Sequence, residues 1–185
     1  MELLIYLSYF FFISEFVLML IKRSKKTSVS KRNDKGSLLI LWFSIVFCIT
    51  AGFYFEGYGI WGFSNIIIYC TGVIIFLAGL ILRWGAIFQL KNAFTVDVAI
   101  NKFHALKTDG LYKKIRHPSY SGLFMILTGL SIAMNNIISF LVIAISIFIS
   151  VSYRILIEEK LLTDEFGKEY ETYKSKTKKI IPGIY

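Results

Sequence analysis

Residues 110 to 122, GLYKKIRHPSYSG, crowd Lys113, Lys114, Arg116, His117 and Tyr120 between two strongly apolar blocks. A second polar cluster, RILIEEK, sets Arg154, Glu158 and Glu159 at the end of the last apolar run. Arginine and histidine donate to anions, while a carboxylate pair accepts from ribose hydroxyls or an ammonium, or fixes an arginine. Pro118 suits the first turn of a helix, where its missing N–H removes nothing. A helix starting there turns its positive end toward the same cluster, which favours an anion. The two motifs together offer an anion grip and a cation or hydroxyl grip, a pairing that suits a zwitterionic ligand such as an amino-acid moiety. The plainer reading of the same residues is snorkelling arginines, interfacial Tyr112 and Tyr120, and a solvated Glu158–Glu159 pair balanced by Lys160.

Whether the motifs meet depends on the elements that carry them. The chain has 185 residues, of which 56% are hydrophobic, 17% aromatic and 18% charged, and its mean hydropathy is +0.63. Such a composition belongs in a bilayer rather than in water. Apolar runs at Leu3–Ile21, Ser37–Phe55, Ser64–Leu82, Tyr120–Met134 and Ile137–Ile157 predict about five spans. The fourth is short, and Asn135-Asn136 turns it into the fifth as a hairpin. The third is expected to close at Arg83-Trp84, a cation and an aromatic suited to the interface. Glu15, in the middle of the first run, is an ionisable residue within a span and so a functional suspect, though one that could simply face other helices. Cys48 and Cys70 read as buried small hydrophobes.

The formal charge of +9 does not point to nucleic acid, because no basic stretch carries a recognisable binding module. All 21 Lys and Arg fall in three blocks of seven, in residues 22–36, 83–117 and 154–185, whereas the turns at 56–63 and 135–136 hold none. The positive-inside rule therefore sets the N-terminus outside and the tail in the cytoplasm. In that topology the hairpin brings the two polar motifs to one cytoplasmic face.

DGLYKKIRHPSYSG (109–122) and RILIEEKLLTDEFGKEYETYKSKTKKIIPGIY (154–185) resemble, in order and spacing, the motifs of the isoprenylcysteine carboxyl methyltransferase family, relatives of the phospholipid N-methyltransferases. LRWGAIFQLKNAFTVDV (82–98) resembles the segment that joins the third span to them. The resemblance implies an all-α integral membrane protein of about five transmembrane helices, with a C-terminal helical hairpin and a cytoplasmic cofactor-binding tail. It implies one domain, with three spans in residues 1–82 and the catalytic region in residues 83–185. S-adenosyl-L-methionine would be the cofactor. His117, Pro118, Tyr120 and Gly122 would hold it, His117 and Tyr120 at its amino-acid part. The stretch from Leu106 through Gly110 to Tyr112 would add backbone contacts. Glu158 and Glu159 would lie near the ribose or sulfonium, and Arg116 and Arg154 would orient an anionic acceptor. The resemblance implies a lipophilic, lipid or prenylated substrate entering from the bilayer, and neither a metal nor nucleic acid. Carboxyl O-methylation is the family's namesake reaction. Phospholipid N-methylation, small-thiol S-methylation and a non-catalytic scaffold remain open at this point.

Overall fold

The structure, a computed structural model, describes residues 2–22, 29–32, 36–59, 61–90, 99–101, 106–181 and 183. Six helices carry it: α1 (Glu2–Lys22), α2 (Ser37–Gly57), α3 (Ile66–Leu90), α4 (Pro118–Ala133), α5 (Ile137–Phe166) and α6 (Lys168–Lys176). Of these, α1, α2, α3 and α5 are long and apolar enough to cross a membrane, and α4 is a shorter apolar helix. Phe43, Ile66, Ile67, Ile81 and Phe88 stand exposed along them. That apolar exterior suits lipid, so the chain is a membrane protein. Two short strands are added to the expected helices: β1 (Val29–Arg32) pairs antiparallel with β2 (Ala99–Asn101). This pair ties the α1–α2 connection to the α3–α4 connection.

Helix α4 lies between α3 and α5, and α2 packs along α5. The core runs through Leu123, Ile126, Leu127 and Leu130 of α4 and Ile143, Ile147, Val151 and Ile155 of α5. The hairpin turn forms as expected. Asn135 adopts a positive φ of 51°, a conformation that asparagine tolerates. The Asn136 side chain then caps α5 by accepting the Ser139 N–H at 2.9 Å.

Glycines spaced seven apart bring α3 and α4 into backbone contact. A Cβ on Gly72 would lie 2.4 Å from the Ala133 nitrogen, and one on Gly129 would lie 2.5 Å from the Phe76 nitrogen. One turn set further along, Gly79 meets Ile126, and Gly122 meets the Arg83 backbone. Lipid tails compete equally for apolar side chains, so such close approach is a main source of helix adhesion in a bilayer. Gly129→Ala is expected to lower stability by about 1–3 kcal/mol through forced separation of the helices. Thermal unfolding in detergent checks this; an unshifted midpoint would contradict it.

Two sequence expectations change here. Helix α3 does not close at Leu82 but continues to Leu90, so Arg83 is a buried helical residue rather than an interfacial one. The reason is that Glu15 neutralises it. Cys48 is buried, but Cys70 is exposed on α3, where the outer face meets lipid and a small apolar thiol needs no cover.

Candidate functional site

Helix lengths set the level of the site. At 1.5 Å per residue, the 16 residues of α4 span about 24 Å, and the 30 of α5 about 45 Å. The hydrocarbon core is about 30 Å thick. The start of α4 is thus recessed, while the end of α5 extends past it and carries Glu158 and Glu159 alongside. Pro118 occupies the first turn of α4, with His117 as its N-cap.

Six of the expected residues are brought together across the hairpin. Arg116 Nε donates to Glu159 Oε1 at 2.8 Å. His117 Nε2 lies 3.4 Å from the same oxygen, and its Nδ1 lies 3.9 Å from Glu158 Oε1. The Tyr120 hydroxyl donates to Glu158 Oε2 at 2.8 Å and accepts from Arg154 Nε at 2.9 Å. Arg154 Nη1 reaches back to Ser37 Oγ at the first residue of α2, at 2.9 Å. Two chains of polar groups result: Arg154–Tyr120–Glu158, and Arg116–Glu159–His117. They run side by side between α4 and α5.

The tail closes over this end. Arg116 Nη1 donates to the carbonyls of Thr177 and Lys174. Backbone N–H groups of Arg116 and His117 donate to Lys178 O at 2.8 Å and Lys179 O at 3.0 Å. Ser121 Oγ donates to Ile180 O at 2.7 Å. The tail's carbonyl oxygens thus take the two backbone N–H groups just ahead of α4. The Tyr120 N–H, moreover, bonds to His117 O.

The other expected residues take supporting places. Gly110 opens a 3₁₀ turn, Gly110–Lys113, with a φ of 60° that favours glycine. It packs against Gln89, whose Oε1 accepts the Leu111 N–H at 2.9 Å. Tyr112 is buried; its hydroxyl donates to Ala86 O at 3.3 Å, and its carbonyl accepts from the Tyr173 hydroxyl at 2.7 Å. Burial pushes both phenols up, Tyr173 to about 12, so each remains a protonated donor near neutral pH. Leu106 is half-buried just ahead of that turn. Gly122 faces α3 at the Arg83 backbone, serving helix contact. Residues 91–98 of the linking segment, and Pro182, Ile184 and Tyr185 of the terminal motif, lie outside the described residues.

Sequence reasoning left out two features. One is a buried pair between two of the membrane-spanning helices, α1 and α3. Arg83 Nε and Nη2 donate to Glu15 Oε1 and Oε2 at 2.5 and 2.6 Å, and both side chains are 7% exposed. Arg83 Nη1 also donates to Ser119 O at 3.0 Å and Ser119 Oγ at 3.1 Å. This network holds α1 and α3 to the first turn of α4, two residues from His117. One acid in the first apolar run and one base at the edge of the third were the available signal. The other is Tyr170 on α6, fully buried beside the glutamates.

Against the outer face of α4 lies an apolar cavity of about 710 Å³. Leu82, Phe124, Met125, Thr128, Ile180 and Ile181 line it, with Lys114 and Ser121 among its polar members. It shares the first turns of α4 with the polar cluster, so an apolar chain and a charged head could be held together.

Comparison with known proteins bears on the family and the fold. The profile of the isoprenylcysteine carboxyl methyltransferase family matches residues 72–164. Protein-S-isoprenylcysteine O-methyltransferase of Schizosaccharomyces pombe is 38% identical over 120 residues, 63% of this chain and 51% of that protein. Protein-S-isoprenylcysteine O-methyltransferase B of Arabidopsis thaliana is 30% identical over 180 residues, 95% of this chain and 89% of that one. The solved structure of a eukaryotic intramembrane Ras methyltransferase of this type superimposes with a TM-score of 0.69 at 26% identity. That match covers 75% of this chain and 52% of the solved one. The chain thus spans about half the length of the fission-yeast relative and of the solved protein.

Proposed function

The chain belongs to the isoprenylcysteine carboxyl methyltransferase family, and from that premise we propose that it transfers a methyl group from S-adenosyl-L-methionine to the carboxylate of a prenylated cysteine. The observation that supports this reading is that the polar cluster and an apolar cavity, lined by Lys114, Ser121 and Phe124, both lie at the first turns of α4. A lipid-tailed carboxylate needs both: dry walls for its chain and cationic donors for its head. The division into three spans in residues 1–82 and a catalytic region in residues 83–185 of one domain belongs to the same reading, with α3 continuous through that border. So does the orientation, N-terminus outside and site cytoplasmic, which the distribution of Lys and Arg supports.

The donor set suits the cofactor. Glu158 is 32% exposed, and its carboxylate is suited to an ammonium or a ribose diol. In this reading His117, Tyr120 and Glu159 would hold the cofactor beside Glu158, with Pro118 setting the helix start and the Leu106–Tyr112 stretch adding backbone contacts. When bound, the cofactor supplies an electrophilic methyl on a sulfonium. The protein's part is orientation and exclusion of water, which is where a displacement of this kind gains most. Arg154 holds Tyr120 and, through it, Glu158 in place. A carboxylate acceptor is already ionised at neutral pH, so this reading needs no general base. An amine or a thiol would need one.

Labelled S-adenosyl-L-methionine, offered with a prenylated cysteine, phosphatidylethanolamine and a small thiol, tests the proposal. The expected product is an alkali-labile methyl ester of the prenylated cysteine. Label on nitrogen or sulfur would overturn the acceptor, and absence of any transfer would favour a scaffold.

A further inference from the structure

Helix α6 carries two buried tyrosines one turn apart, with rings 6.1 Å between centroids. Their hydroxyls differ. That of Tyr173 donates to Tyr112 O at 2.7 Å and pins α6 to the 3₁₀ turn. That of Tyr170, on a residue 0% exposed, has no hydrogen-bond partner among the described residues. Two other buried side-chain atoms share this condition, Asn135 Oδ1 and Ser152 Oγ. Asn135 lies at the far turn of the hairpin and Ser152 within the body of α5. Tyr170 alone of these three stands by the carboxylate pair.

Burial of an unpaired hydroxyl costs more than a made hydrogen bond gains. Phenylalanine would fill the same volume without that cost. A tyrosine here is therefore explained by a partner that arrives with a ligand. Burial, followed by the charges of Glu159 and Glu158, pushes the phenol up, so it meets that partner as a donor. At this phenol the charges of Glu159 and Glu158 outweigh that of Arg116, which disfavours a ligand anion beside the hydroxyl itself. An uncharged acceptor, such as a ribose oxygen or a ring nitrogen, fits better than the amino-acid carboxylate.

We infer that the Tyr170 hydroxyl is a binding donor for the nucleoside half of the cofactor, contributed by α6 as the tail lies over the site. This rests on the reading of the site as an S-adenosyl-L-methionine site.

The test compares the whole protein with its Tyr170→Phe variant in two measurements: equilibrium binding of S-adenosylhomocysteine, and thermal unfolding without ligand. Removing one donor to an uncharged acceptor is expected to weaken binding about tenfold. The ligand-free unfolding midpoint is expected to stay equal or rise, because an unpaired buried hydroxyl has been removed. Equal affinity in the two proteins would overturn the inference. A lowered ligand-free midpoint would also overturn it, since the hydroxyl would then have a partner within the protein. If the unaltered protein binds no S-adenosylhomocysteine, the cofactor reading itself fails and this assignment with it.

Discussion

Arg83→Met is expected to destabilise the protein by about 3–5 kcal/mol, because it strands the Glu15 carboxylate among apolar helices. For a chain of this size that is on the order of ten degrees in the unfolding midpoint. Methionine matches much of arginine's length, so lost packing is a small part of the effect; the uncompensated charge dominates. The companion double variant, Glu15→Leu with Arg83→Met, separates the terms. It removes both charges, and replacing a whole buried pair by apolar groups is often neutral or stabilising. Most of the lost stability should therefore return. Methyl transfer should recover less, because the donors to Ser119 O and Oγ are still gone and the first turn of α4 carries His117 and Tyr120. A double variant as unstable as Arg83→Met alone would show that the pair is held by more than mutual charge. Full activity in the double variant would show that the Ser119 contacts do not position the site.

That buried pair also marks where the sequence stops being readable. The α4–α5 hairpin could be inferred because each of its signals is local: an apolar run, Pro118 at a helix start, two asparagines at a turn. Once the hairpin is assumed, the meeting of Arg116, His117 and Tyr120 with Arg154, Glu158 and Glu159 follows from geometry. The link between Glu15 and Arg83 crosses 68 residues and joins two helices whose apolar faces carry no distinct stripe. In a bilayer the outer face is as apolar as the inner one, so periodicity cannot say which residue points inward. Arg83 was accordingly legible as an interfacial cation and not as a partner for Glu15. The tail is hidden for another reason. Its docking uses carbonyls of Thr177, Lys178, Lys179 and Ile180, and backbone acceptors leave no trace in residue identity. Tyr170 stands inside the C-terminal motif of residues 154–185, but a tyrosine near a membrane reads first as an interfacial aromatic. Only its complete burial separates it from that class.

Docking of the tail gives Arg116 a role that charge alone would not. Its guanidinium reaches Glu159, Lys174 O and Thr177 O together, so one side chain joins α5, α6 and the extended tail to the residue before His117. Arg116→Lys keeps the positive charge beside Glu159 but replaces a planar fork by a single ammonium that cannot span all three acceptors. Folding and membrane insertion should therefore survive. The tail should loosen, and the rate should fall because the groups that frame the cofactor are no longer held in register. A displacement of about 1 Å at such a site is enough for a loss on the order of a hundredfold. Arg116→Ala goes further, leaving the buried Glu159 carboxylate with His117 alone at 3.4 Å, and is expected to abolish methyl transfer. The measurements are the kcat/KM for methyl transfer and the rate of limited proteolysis within residues 174–181. Arg116→Lys should be slow in the first and fast in the second. If its turnover is lost while the tail stays as protected as in the unaltered protein, Arg116 acts on the bound acceptor directly, and the backbone bonds of residues 114–117 with the Ser121–Ile180 contact suffice to hold the tail. If turnover is unchanged, neither the fork nor the tail it clamps positions the reaction.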